Sequence, residues 1–414
     1  MLVVIGFCCV AAAGADTAAS TWQPAIELVT GRLSERDGVG ILHVWGTPSE
    51  QGAAIGYLLA PEIVSFYDRF IGYRTWGLTP ELWDAEVLPA AGRFTILPEY
   101  LAELQGMLQG IEARAGGPAP VPALGRTLHL QDLVAACCVY DNRRLGCTSF
   151  VAWASMTADG ALLYGRNMDW PASAAFVETP QIVIVRAPWP GSERRATVSV
   201  FFPLIVGITT GMNADGIVLC NNDAYNERDP LRRSGFFPAP LSNRTALETA
   251  RAGSACQDIV AALRAEPSGV GRSLTVGMPL YGDESRGVVF EADGIWEETG
   301  GVTPRAPAPT ESFILTTMHH RVRGEPVNCR YYDTAAQALG AVARGASPPL
   351  TEAGAWGILT ALIPTGGLTY HSVIFEPDEM VMHVRLQEGG VTAQRGRTIT
   401  LDVAALLQGL PPAP

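Results

Sequence analysis

Residues 146–170, GCTSFVAWASMTADGALLYGRNMDW, constrain the fold more than any other stretch of the chain. Cys147, Ser149, Val151, Trp153 and Ser155 alternate with Thr148, Phe150, Ala152, Ala154 and Met156, the two-residue period of a strand. Ala158, Asp159 and Gly160 supply a turn, and Ala161 to Gly165 begins a returning strand. A hairpin of this kind sets Cys147 opposite about residues 170–172 and brings Arg166 to Asp169 back to its neighbourhood. Arg166 then shares the pleat face of Cys147. Asp169 stands at an odd offset and reaches the same place only if the strand ends or bulges near Asn167.

This arrangement has a chemical reading. A thiol attacks only as thiolate, and with a free pKa of about 8.5 it needs a cation or a base beside it. Arg166 is the cation, and no histidine lies close in sequence to serve as base. A break between Gly146 and Cys147 would supply one, because a free α-amine titrates at about 7.7–8.0 and accepts the thiol proton at neutral pH. Gly146 has no Cβ to obstruct the attack of the Cys147 sulfur on its carbonyl. That attack exchanges the peptide for a thioester, which water cuts. Residues 147–414 would then form the catalytic chain.

The segment resembles the N-terminal nucleophile hydrolases, a group that includes choloylglycine (bile salt) hydrolases, penicillin V acylase and isopenicillin N acyltransferase-like enzymes. The shared pattern is Cys147-Thr148, the Asp159-Gly160 turn, and Gly165, Arg166, Asn167 and Asp169. LHVWGTPSEQG near the start resembles the pro-segment opening of the acyltransferase-like branch, and TYHSVIFEP its closing strands, so the likeness spans at least residues 38–385. It implies an α+β fold, a four-layer αββα sandwich of antiparallel sheets flanked by helices. It also implies a pro-segment over 16–146 kept as a subunit after the cut.

For the site, the resemblance implies that Cys147 attacks an amide or thioester carbonyl while Arg166 and Asp169 orient it. An Asn in GMNADGIVLCNND would hold the oxyanion: Asn222 first, Asn221 as alternate, at about 3 kcal/mol. Asn213 reads as a turn organiser. The family's later Thr-Asn element reads Thr316-Thr317 here, leaving a hydroxyl in place of the second Asn, and its Ser-Arg-Tyr element reads Cys329-Arg330-Tyr331. Arg330 is thereby a further site residue, its fork suited to a carbonyl or carboxylate. Thr317, His319, His320 and Trp170 are candidate substrate contacts.

The remaining sequence sets the surroundings. With 29 Lys plus Arg against 41 Asp plus Glu, the net charge of −12 argues against a nucleic-acid groove. Short strand candidates at 182–186, 197–202, 216–219, 288–291, 313–316, 370–375 and 380–385 alternate with few helices, at 244–249, 255–264 and 331–342, the first two separated by Ser254 as a cap. Thr47 and Glu50 form a capping box with Pro48 at the first helical position. A helix is also expected over 100–115, and LQDLVAACCVYD reads as another with Cys137 and Cys138 filling its core side.

Met1 to Ala15 is an apolar leader, too short to span a bilayer, ending in small residues at Ala13 and Ala15. It fits a signal peptide and an exported, periplasmic or extracellular protein. Six cysteines remain after it, with pairing left open. The six histidines are too scattered for a zinc spacing, so no metal and no cofactor is expected, and His371 and His383 read as packed strand residues. GITTG and PTGGL lack the context of phosphate loops.

The expected activity is a self-cleaving Cys amidohydrolase that cuts a linear N-acyl amide bond through an acyl-thioester. An acyltransferase passing the acyl group to an amine is the alternative within that chemistry. A Cys-His hydrolase using His319, His320 or His371, and a non-enzymatic secreted binding protein on the same scaffold, are the rivals. The partner expected is a small-molecule acyl amide or acyl donor, with no nucleic acid and no membrane span; homo-oligomers are allowed.

Overall fold

Strand alternation gives each sheet two apolar faces, and the chain is arranged so that all four are covered. The computed structural model describes residues 22–142, 146–224, 234–279, 285–293, 301–323 and 327–411; the leader lies outside these. In chain order the strands are β1 (Trp22–Glu27), β2 (Gly31–Arg36), β3 (Val39–Val44), the short pair β4 (Pro120–Val121) and β5 (Arg126–Thr127), β6 (Gly146–Ala152), β7 (Leu163–Pro171), β8 (Ile182–Arg186) and β9 (Thr197–Phe201). There follow β10 (Thr210–Asn213), β11 (Val218–Asp223), β12 (Arg272–Gly277), β13 (Gly287–Ala292), β14 (Val302–Arg305), β15 (Phe313–Thr316), β16 (Gly367–Glu376), β17 (Val381–Leu386) and β18 (Ile399–Asp402).

A ten-stranded sheet runs β1-β2-β3-β8-β9-β10-β11-β12-β13-β14, and a six-stranded sheet runs β15-β6-β7-β16-β17-β18. The facing sides meet through Val151, Tyr164, Val373 and Phe375 of the smaller sheet and Val183, Val198, Met212 and Val218 of the larger. The outer face of the larger sheet, with Leu219, Leu274 and Phe290, packs on the helices Ala239–Thr249 and Ala255–Ala265. The outer face of the smaller, with Phe150, Leu163 and Ile374, packs on the helices Arg330–Ala343 and Glu352–Thr360. The layers are therefore α, β, β, α, as expected.

The N-terminal residues are built into this frame. They supply β1 to β3, and β3 pairs in parallel with β8 through Ile41 and Val183, whereas the other paired strands among the described residues run antiparallel. Their helices Pro48–Leu58, Ala60–Gly72, Pro98–Ala115 and Leu130–Asn142 bury a core that takes in Met168, Trp170, Phe176 and Tyr370. Thr47 and Glu50 form both bonds of the capping box. The first and third of these helices nearly touch: a Cβ on Gly52 would lie 1.8 Å from the Glu103 carbonyl oxygen, and one on Gly106 2.0 Å from that of Ser49.

Several expectations need correction. The hairpin is not closed by a tight turn: β6 ends at Ala152, Ala154 takes a left-handed φ of 52°, and Ala154–Met156 is a 3-10 turn. The return strand starts at Leu163 rather than Ala161, so Cys147 pairs with Met168 and not with residues 170–172. Ser254 precedes its helix but makes no capping bond to the backbone; its hydroxyl donates to Asp258 at 2.7 Å. Cys137, Cys138, Cys147, Cys220, Cys256 and Cys329 are all free thiols, the first two in the core. Among the described residues no helix is long and apolar enough to cross a membrane.

Candidate active site

Cys147 and Ser149 point from β6 into the space between the sheets, because alternate residues share a face. Ser149 pairs directly with Arg166 on β7, which puts the guanidinium on the Cys147 side, as parity predicts. Arg166 is fully buried, and its Nη2 donates to Cys147 Sγ at 3.2 Å. Its Nη1 donates to Asn222 Oδ1 and lies 3.4 Å from Ser149 Oγ. Ser149 Oγ in turn donates to Asn222 Oδ1 at 2.9 Å. Asn222 reaches across from β11 in the opposite sheet and donates one amide hydrogen to the Thr316 carbonyl, at 3.2 Å. Thiol, guanidinium, hydroxyl and carboxamide thus form one buried set.

The neighbouring Asn221 faces away from this set and donates to Asp223 Oδ1 at 3.1 Å. Asn213 organises its turn as expected, accepting from the amides of Asp215 and Ile217 and donating to the Leu247 and Ala250 carbonyls. Asn167 is structural: it donates to the Leu359 carbonyl and accepts from Ser372.

Asp169 pairs with Gly146 at the end of β7 and joins Cys147 on the wall of a cavity of about 280 Å³. The bulge expected near Asn167 does not occur: the β6–β7 ladder is regular through Gly146 and Asp169, and Asp169 meets the cavity where β6 begins, while the adjoining β16 carries an irregularity between Thr369 and His371. Thr369 Oγ1 donates to Asp169 Oδ1, and Gln394 Nε2 donates to Thr369 Oγ1 at 2.5 Å. The cavity is also lined by Gly146, Trp170, Pro171, Met318, Tyr331 and the loop Pro364–Gly367. A Cβ on Gly146 would come within 3.0 Å of Met318 Sδ, so the position is narrow.

Burial dominates the electrostatics. It pushes the Cys147 thiol up to about 12, against the pull of Arg166, so the uncut chain holds it protonated at neutral pH. Burial likewise raises Asp169 to about 7, opposed by the Thr369 hydrogen bond and by Arg166.

Other candidates fall elsewhere. Thr317 is buried with its hydroxyl 3.6 Å from Cys329 Sγ. Arg330 does not reach the thiol; it stacks on Tyr331 and donates to Thr365 at 2.7 Å, bracing the cavity rim. His320 is held by the Arg272 carbonyl, and burial lowers the pKa of both His319 and His320. His371 is engaged by Thr210 and Gln181. Sequence reasoning missed Ser149, Thr369, Gln394 and Met318. Ser149 was within reach, two residues from Cys147 on the same face. PTGGL, set aside as a phosphate loop, turns out to rim the cavity.

No protein-family model matches the sequence, and no curated protein matches it. Solved structures that match include an N-acylethanolamine-hydrolyzing acid amidase ortholog from Caenorhabditis elegans, at 16% identity and TM-score 0.42, over 62% of this chain and 100% of that one. Conjugated bile acid hydrolase from Clostridium perfringens matches at 11% and 0.42, over 63% and 93%. Penicillin V acylase from Agrobacterium tumefaciens matches at 13% and 0.37, over 62% and 91%.

Proposed function

We propose that the protein is a self-activating amide hydrolase in which Cys147 is the nucleophile and its own α-amine, released by a cut after Gly146, is the base. The observation that carries this is the 3.2 Å contact from Arg166 to the Cys147 sulfur, one residue after Gly146, on the wall of a cavity. In the uncut chain the carbonyl that precedes Cys147, and so lies within covalent reach of its protonated thiol, is that of Gly146. Sulfur adds to that carbon, the C–N bond breaks as the nitrogen takes a proton, and water hydrolyses the thioester to a Gly146 carboxylate and a free thiol.

The new amine then accepts the thiol proton, and Arg166 stabilises the thiolate. The thiolate adds to a substrate amide carbonyl. Asn222 has an amide hydrogen beyond the one given to Thr316, and it meets the oxyanion. Collapse expels the leaving amine, which takes the proton from the Cys147 ammonium, and water releases the acid from the thioester. Apolar walls from Trp170, Pro171, Met318 and Pro364 suit an apolar acyl group on a small linear amide. The N-terminal residues stay bound as a subunit, and the leader directs export.

The test is to express wild type and Cys147→Ala side by side and determine each N-terminus by mass spectrometry. Wild type is expected to yield a chain beginning at Cys147, and the variant a single unbroken chain. Hydrolytically active wild type that runs unbroken through 146 and 147 overturns the proposal. A panel of N-acyl amides then defines the substrate.

A further inference from the structure

We infer that Thr369 and Gln394 are positioning residues for this site, forming with Thr392 a one-way hydrogen-bond chain that keeps Asp169 an acceptor toward the amine of Cys147. The inference rests on the reading of Cys147 given above and extends it to a residue 200 positions from Asp169.

The direction of the chain follows from donor and acceptor chemistry. Gln394 is buried in the 3-10 turn Ala393–Arg395, between β17 and β18. Its Oε1 accepts from Thr392 Oγ1, which turns its amide nitrogen toward Thr369. That nitrogen can only donate, so the Thr369 oxygen is the acceptor there and its single hydroxyl proton is left for Asp169 Oδ1. A carboxyl proton on Oδ1 would crowd two hydrogens between the same oxygens. Oδ2 is left as the oxygen for the amine.

The backbone is shaped to make this contact. On β16, Ser372 pairs with Asn167 and His371 with Met168, so an unbroken ladder would set Tyr370 across from Asp169. One extra residue is inserted there, and Thr369 takes the place instead.

The titratable and charged groups around Asp169 are few. Cys147 faces it from β6 and Arg166 from its own strand, and Tyr331 of the 330–343 helix stands on the cavity wall. On β16 the nearest is His371, engaged by Thr210 and Gln181; Arg395 beside Gln394 is exposed, and Asp223 of β11 acts on Cys147. Losing the Thr369 donor leaves Arg166 alone to oppose burial, so the charged carboxylate would form only at higher pH.

The experiment follows alkylation of Cys147 by iodoacetamide against pH in the mature wild type and in Thr369→Val, Thr369→Ser and Gln394→Met. In Thr369→Val the acid limb is expected to move up by about one pH unit, roughly tenfold slower labelling below it. Thr369→Ser should overlay wild type, and Gln394→Met should shift the same way by less. An unchanged limb in Thr369→Val overturns the inference; where that variant gives no soluble protein, an unchanged limb in Gln394→Met does so. Wild type neither cut before Cys147 nor labelled there is a different failure, that of the proposed function itself.

Discussion

Two of the buried arginine sites in this molecule contrast sharply in what surrounds them. In one, Glu103 of the 98–115 helix takes Arg186 at 2.8 Å and Arg244 at 2.6 Å on its two carboxylate oxygens. Glu248 binds Arg244 at 2.7 Å and Arg194 at 2.8 Å, and Arg194 and Arg244 lie over the rings of Tyr100 and Trp189. Carboxylates interleave with guanidinium groups, so the charge is matched and the result is a rivet between the N-terminal helices and the sheet. In the other, Arg166 gives its hydrogens to a thiol, a hydroxyl and a carboxamide oxygen, all neutral as they stand. Its field is directed at a group that can become an anion. The first set of guanidinium groups is matched by carboxylates, whereas the Arg166 guanidinium is hydrogen-bonded to groups that carry no charge in the uncut chain.

Substitutions should separate the two. Glu103→Ala takes from buried Arg186 its carboxylate partner and from Arg244 one of its two, and is expected to cost about 3–5 kcal/mol by urea denaturation in the uncut Cys147→Ala background. In an otherwise wild-type chain the same substitution should leave the labelling rate of Cys147 in the folded fraction unchanged; a large loss of labelling would erase the distinction. Arg166→Met is expected to do the reverse, slowing labelling of Cys147 by about 10²- to 10³-fold, as removal of a preorganised donor does.

Next is a linkage effect. Asp169 is held at about 7 against a usual 3.8, so between those values the folded chain binds more protons than the unfolded one. Its contribution therefore makes stability fall as pH rises through that window. Thermal denaturation of uncut Cys147→Ala at the two ends should show the decline, and adding Asp169→Asn should flatten it. The smallest effect is expected outside both clusters: Thr47→Ala, which removes the capping box, should cost about 1 kcal/mol in melting experiments and leave thiol labelling alone.

How much of this was legible in the sequence depended on distance along the chain. That two strands pair here, that Cys147 and Arg166 share a face, and that Thr47 and Glu50 form a capping box are local patterns, legible in the sequence. The register slipped because residues 153–162 form a longer connection with a left-handed Ala154, where Asp159-Gly160 suggests a tight turn. Asn221 and Asn222 could not be told apart because Val218 to Asp223 is buried on both faces and shows no alternation. Thr369 and Gln394 carry no local signal; a bulge and a 3-10 turn bring them to Asp169.

The parallel partnership of β3 with β8 bears on the order of events in the protein's life. Under the proposed function, a cut before Cys147 would divide the large sheet between two polypeptides, with its seam at Ile41 and Val183. A ribosome product starting at residue 147 would present β8 as a raw edge and lack the helices that shelter Met168 and Trp170. The proposed scission would therefore follow assembly. If the proposal holds, co-expressing the halves as separate genes would not be equivalent to letting one chain fold and then divide itself.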